Sequence, residues 1–166
     1  MTPKEFIKTF KPYAVKLQKE SGIDYRFTLA QGALESGWGK SAVGNNFFGV
    51  KDTDGVNGNE QLITTTEFLY NANAKFPSII SKVLVNPAKK LWKYVVKDYF
   101  RKYDTAYESF KNHSDFFFKN SRYKTALIHR ADPYRFAEEV AKAGYATDPN
   151  YAKVLKSVIK TIENHE

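Results

Sequence analysis

Leu29-Ala30-Gln31-Gly32-Ala33-Leu34-Glu35-Ser36-Gly37-Trp38-Gly39-Lys40-Ser41 is an apolar run that ends in a single carboxylate and is then broken by two glycines. Asp24, just upstream, is suited to cap a helix, because its side-chain oxygen can accept from first-turn backbone N–H groups that otherwise lack partners. Tyr25 to Leu34 is good helix material, and Phe27, Ala30, Ala33 and Leu34 recur at three- and four-residue spacing, which predicts a buried stripe. Glu35 falls on the apolar edge of that stripe. Partial desolvation there disfavours the charged carboxylate and raises its pKa, as a general acid working near neutrality requires. Gly37 and Gly39 permit backbone angles and close approaches that would admit a bulky substrate, and Trp38 between them offers an aromatic surface. An ordinary surface glutamate ahead of a glycine cap has the same local features, so the helix end alone leaves both readings open.

A wider comparison of motifs separates them. The segment from Ala33 to Ser41, followed by Gly44-Asn45-Asn46-Phe47-Phe48-Gly49-Val50-Lys51, closely resembles the signature of glycoside hydrolase family 73, the peptidoglycan N-acetylglucosaminidases that include bacterial autolysins. Two later stretches match in the expected order: Phe100-Arg101-Lys102-Tyr103 with Glu108-Ser109, and Gly144-Tyr145-Ala146-Thr147-Asp148-Pro149-Asn150-Tyr151-Ala152. The resemblance covers most of the chain. It implies a mainly α (α+β), lysozyme-like fold, with a helical lobe and a small β-hairpin lobe flanking a glycan groove.

Composition is compatible with this and narrows little else. The 166 residues suit one domain, 1–166, large enough to bury a core, and the absence of cysteine excludes disulfides and thiolate metal sites. A net charge of +8 favours polyanionic partners, whether nucleic acid, acidic lipid or the carboxylate-rich bacterial wall. No run approaches the ~20 apolar residues of a membrane span, and the first residues have no apolar core of the signal-peptide kind. The resemblance implies the cell wall as the setting, periplasmic or extracellular, reached by an export route that the sequence does not show.

In chain order, Thr2 and Glu5 form a capping box with Pro3 at the first helical position, and Phe6, Phe10, Ala14 and Leu17 mark one buried face as far as about Glu20. Asn45 and Asn46 beside glycine read as a turn, and the resemblance makes Asn46 and Phe48 part of the active-site rim. Asp52 to Glu60 looks superficially like a calcium loop. Its sixth and twelfth places hold Asn57 and Ile63, or Asn59 and Thr65, where that loop needs glycine and glutamate, so a polar turn and no metal are expected. Gln61 to Leu69 reads as a strand with Ile63, Thr65, Glu67 and Leu69 on one face, opening a β-lobe at about 52–103. Lys75 to Leu84 suggests a short inserted helix, and Leu91 to Tyr103 a strand.

The remainder reads as helices: Asp104 or Thr105 to Phe118, Ser121 to Leu127, and Asp132 to Val140. A last one is opened by Asp148 and Pro149, with Tyr151, Leu155, Val158, Ile159 and Ile162 on one face. His113, His129 and His165 show no metal-ligand spacing and read as ordinary surface or core histidines.

The resemblance implies that Glu35 protonates the departing oxygen of a β-1,4 bond after N-acetylglucosamine. Glu67 is then the candidate second carboxylate, and Tyr145 the candidate site tyrosine, while Trp38, Asn46, Phe48 and Tyr151 are candidate substrate contacts. Either Glu67 activates a water, giving inversion, or the substrate's 2-acetamido oxygen attacks with help from Tyr145, giving retention. No cofactor is expected. The partner is the peptidoglycan glycan strand rather than nucleic acid or a membrane, and the chain is expected to act as a monomer. The rival readings are a lytic transglycosylase or N-acetylmuramidase on the same polymer, and a non-catalytic wall- or nucleic-acid-binding module. Asn45-Asn46-Phe47-Phe48-Gly49 stands where transglycosylases typically carry a Gly-Leu-Met-Gln type motif.

Overall fold

The computed structural model describes residues 1–166, which form two compact units, 1–49 with 103–166, and 50–102. The first unit is helical, with α1 (Pro3–Ser21), α2 (Tyr25–Ser36), α3 (Ala106–Lys119), α4 (Pro133–Lys142) and α5 (Tyr151–Asn164). The second holds β1 (Glu60–Leu69), β2 (Ser78–Asn86) and β3 (Leu91–Arg101). The fold class is α+β, as expected.

Local sequence explains most of the helical boundaries. The Thr2 hydroxyl accepts from the Glu5 backbone N–H at 3.2 Å while Glu5 Oε2 accepts from the Thr2 N–H at 2.7 Å, so both orphan donors at the start of α1 are satisfied. Phe6, Phe10, Ala14 and Leu17 are buried along its inner face, and Gly22, with φ of 79°, closes the helix. Asp24 caps α2 by accepting from the Arg26 N–H at 2.9 Å. Tyr151, Leu155, Ile159 and Ile162 are buried on α5.

α2 differs from the expected stripe. Every residue from Phe27 to Ala33 is buried and Leu34 only partly so, because α1, α3, α4 and α5 all pack on this helix. Its small residues permit that. A Cβ at Gly32 would lie 2.8 Å from Phe110 Cε1, so the aromatic ring occupies the space that a side chain would take. α2 is thus a central helix, and Glu35 sits on the turn where it reaches the surface.

Three expectations are corrected. Ser121 to Leu127 is not one helix but two short 3₁₀ turns, Ser121–Tyr123 and Ala126–His129, because only Tyr123 and Ala126 are buried and the polar residues between them offer no continuous apolar face. α5 begins at Tyr151 rather than at Pro149. Asp148 Oδ1 accepts from the Asn150 N–H at 2.8 Å in a turn ahead of the helix, and Asn150 itself leaves helical angles at φ −90°, ψ 2°. The third concerns Lys75 to Leu84, where residues 78–86 form strand β2 instead of a helix. Ile79, Ile80, Val83 and Val85 are β-branched and stiff at χ1, which suits a strand once β3 supplies a partner.

The second unit is therefore a three-stranded antiparallel sheet, ordered β1-β3-β2, rather than a hairpin. On β1 the alternation holds as expected: Ile63, Thr65, Glu67 and Leu69 are half-buried while Leu62, Thr64, Thr66 and Phe68 are exposed. The register sets Glu67 opposite Tyr94 and Thr65 opposite Val96. In the preceding loop, Asp52 Oδ2 accepts from the Gly55 N–H, and Glu60 Oε2 from the N–H groups of Asn57 and Gly58.

Candidate active site

Glu35 occupies the last turn of α2, and three successive residues with positive φ carry the chain away from it: Gly37 at 56°, Trp38 at 58° and Gly39 at 87°. Nothing lies within 4 Å of where a Gly37 Cβ would stand, so the turn that follows Glu35 is open at Gly37. The turn is pinned from within. Ser36 Oγ donates to the Gly32 carbonyl at 2.6 Å and accepts from the Gly39 N–H at 2.9 Å.

The side chain of Glu35 is reached by solvent, yet protein crowds its carboxylate on one side, and the two conditions serve different ends. Exposure gives a substrate access. Crowding desolvates the carboxylate and raises its pKa above the ordinary 4.5, although the Tyr151 hydroxyl, donating to Oε1 at 2.9 Å, pulls the other way. Tyr145 stacks on Tyr151 with ring centroids 5.4 Å apart. Burial, reinforced by the negative charge of Glu35, drives the pKa of both phenols upward, so both keep their hydrogens.

Behind Tyr151 the row of polar groups continues into the core. Gln31, one helical turn before Glu35 and 0% exposed, donates from Nε2 to the Tyr151 hydroxyl oxygen at 3.0 Å. Its Oε1 lies 2.5 Å from His113 Nε2. The His113 ring is stacked on Phe48 at 3.7 Å with an interplanar angle of 6°, and lies nearly parallel to Phe116 at 5.7 Å. Desolvation in these surroundings pushes its pKa down to about 3.

The predicted site residues fall into distinct settings. Tyr151 packs in α5, 8% exposed, but its hydroxyl bonds Glu35 rather than being offered to a substrate. Tyr145 is half-buried among His113, Phe116, Phe117 and Tyr123. Phe48 is half-buried with one face taken by His113. Trp38 meets Phe6 edge-on at 5.5 Å. Asn46, 6% exposed, belongs to the interior rather than to an open rim.

In the second unit, Glu67 is paired with Lys51 at 3.0 Å, and Lys51 reaches Asp98 at 3.4 Å. Desolvation alone would lower the pKa of Lys51, but its bonds to these two carboxylates outweigh that and raise it. Sequence reading passed over Gln31 and took His113 for an ordinary histidine. The available signal was a glutamine inside an apolar helix four residues before the key carboxylate, since a buried amide must find partners. No group of three His, Asp or Glu side chains is arranged to hold a metal ion, and no helix is long and apolar enough to cross a membrane.

Comparison with known proteins bears on the whole chain. The glucosaminidase family model, described as mannosyl-glycoprotein endo-beta-N-acetylglucosaminidase, matches residues 11–164. The peptidoglycan hydrolase FlgJ of Pseudomonas aeruginosa is 32% identical over 98% of this chain and 37% of its own length. FlgJ of Vibrio parahaemolyticus is 33% identical over 98% of this chain and 48% of its own. The chain thus spans less than half the length of these relatives. The solved glycoside hydrolase domain of Salmonella typhimurium FlgJ aligns with a TM-score of 0.72 at 30% identity, covering 99% of this chain and 90% of that one.

Proposed function

Because the chain belongs to the glucosaminidase family, glycoside hydrolase family 73, we propose that it hydrolyses the β-1,4 bond after N-acetylglucosamine in peptidoglycan glycan strands, with Glu35 as general acid. The observation that carries this reading is the state of Glu35, a carboxylate open to solvent, raised in pKa by desolvation and held at Oε1 by Tyr151. Such a group keeps its proton nearer to neutral pH and delivers it to the leaving oxygen as the bond breaks. The names of the FlgJ relatives support peptidoglycan as the polymer, and a net charge of +8 suits an anionic wall. The chain then works on the wall side of the cytoplasmic membrane.

The oxocarbenium-like transition state needs compensation at the sugar. The pairing of Glu67 with Lys51 favours the acetamido route, because a carboxylate oxygen already taken by an ammonium is not free to accept from an attacking water. In that route the acetamido oxygen forms a bond to the anomeric carbon as the glycosidic bond breaks, and water later opens the cyclic intermediate. Tyr145 suits an orienting role, since its raised pKa keeps the hydroxyl protonated across the working range.

Mass spectrometry of digested peptidoglycan tests the reaction. Fragments ending in reducing N-acetylglucosamine are expected. Reducing N-acetylmuramic acid would move the cut to the other bond, anhydro ends would make the protein a lytic transglycosylase, and absence of any product would leave a binding module.

A further inference from the structure

We infer that Gln31 and His113 are positioning residues for Glu35: their hydrogen bonds fix the direction of a relay from the buried imidazole through the Gln31 amide and the Tyr151 hydroxyl to Glu35 Oε1, reserving Oε2 for the transferable proton. The inference rests on the general-acid reading of Glu35 and adds what sets its proton in place.

The direction follows from what each atom can do. Gln31 Oε1 only accepts, so the His113 Nε2 that faces it carries a hydrogen. Gln31 Nε2 only donates, and it donates to the Tyr151 oxygen. With its oxygen accepting from Gln31, Tyr151 turns its own hydrogen to Glu35 Oε1. Every hydrogen in the row points toward the carboxylate, and each bond polarises the next. A half-turn of the Gln31 amide would reverse the row. Tyr151 would then donate to Gln31, and Glu35 would have to give its acid proton to Tyr151, away from a substrate. The tautomer of His113 decides between the two states, Nε2–H matching the orientation in which Gln31 Oε1 faces the ring, and the parallel rings of Phe48 and Phe116 hold the imidazole in place.

The titratable groups that face Glu35 are the Tyr151 phenol from α5 and the Tyr145 phenol from the segment before it, with His113 on α3 acting only through Gln31. The relay is therefore read directly in the titration of Glu35. Carboxyl-carbon NMR on the intact 166-residue chain would follow that midpoint in the native protein, in Gln31→Glu and in His113→Phe. Gln31→Glu sets an acceptor where the amide donated, drawing the Tyr151 hydrogen off Glu35 and adding a like charge. His113→Phe keeps an aromatic ring between Phe48 and Phe116 but frees the amide to turn. Both are expected to raise the Glu35 midpoint by about one unit or more, with the alkaline limb of kcat/KM following it.

An unchanged or lowered midpoint in the folded variants would overturn the inference, as would variants that lose only melting temperature. Should one variant fail to fold, the other decides. Nitrogen NMR of His113 in the native protein gives a separate answer: the Nε2–H tautomer is expected, and the Nδ1–H tautomer overturns the relay. Failure of the general-acid reading is distinct, because it would show as turnover retained by Glu35→Gln while these titrations still report on the relay.

Discussion

The Tyr151 hydroxyl donates to Glu35 Oε1 at 2.9 Å across 116 residues of chain. This bond stabilises the ionised carboxylate, whereas desolvation favours the protonated form, and desolvation is the larger influence. The working range of the acid is set by that balance.

Removing the bond should tip the balance further. Tyr151→Phe keeps the ring and its stacking on Tyr145 but deletes the donor, so the pKa of Glu35 rises and the alkaline limb of the pH–kcat/KM profile moves up by about one unit. A limb displaced to lower pH would show that the hydroxyl acts on something other than Glu35.

Glu35→Gln should abolish nearly all glycan cleavage, because the amide keeps the shape but has no transferable acid proton. Retention of more than about a tenth of native turnover would remove Glu35 from the acid role. Stability should not suffer. With its folded pKa raised above 4.5, Glu35 adds stability below that value and loses it as pH rises through the folded pKa, so the ionised form is a net cost at neutral pH. Thermal melts at pH 7 should find the variant no less stable than the native chain.

Glu67→Gln and Tyr145→Phe separate the two chemical routes. Under the acetamido route Tyr145→Phe is the more damaging, and Glu67→Gln falls short of the hundredfold loss, on the order expected when a general base is removed. NMR of the product immediately after cleavage should show the β anomer first. An initial α anomer would mean inversion and return the base role to Glu67.

His113 makes the protein acid-sensitive in a definite window. Its pKa is depressed from 6.5 to about 3 by burial, so the neutral ring contributes stability that is complete above 6.5 and lost progressively as pH falls toward 3. His113→Phe should flatten this part of the stability curve in urea melts taken between those limits. An equally steep acid decline in the variant would assign it to other groups.

Gly32→Ala tests the packing that encloses α2. The new Cβ would lie 2.8 Å from Phe110 Cε1 and 3.1 Å from Cζ, and Phe110 is fully buried. Overpacking of this kind costs about 1–3 kcal/mol. At roughly 2–4 °C per kcal/mol for a chain of this size, calorimetry should record a Tm lower by several degrees. An unchanged Tm would show that the ring can shift.

The amino-acid sequence alone determined the features that depend on near neighbours. The capping box of Thr2 and Glu5, the Asp24 cap, the glycine-broken end of α2 and the alternating face of β1 are satisfied within a few residues. The motif around Glu35, together with the Phe100–Tyr103 and Gly144–Ala152 stretches, likewise sufficed for the family. Tertiary structure decided the rest. Residues 78–86 are a strand because β3 offers backbone partners that a lone Ile- and Val-rich segment does not reveal. Ser121 to His129 breaks into two turns because only Tyr123 and Ala126 are fully buried. Tyr151 read as a helix-face residue and candidate substrate contact, Gln31 as part of an apolar run, and His113 as an ordinary histidine. They meet across 120 and 82 residues of chain. A buried amide or imidazole must be satisfied by some partner, but local pattern carries no information on which distant side chain folding brings to it.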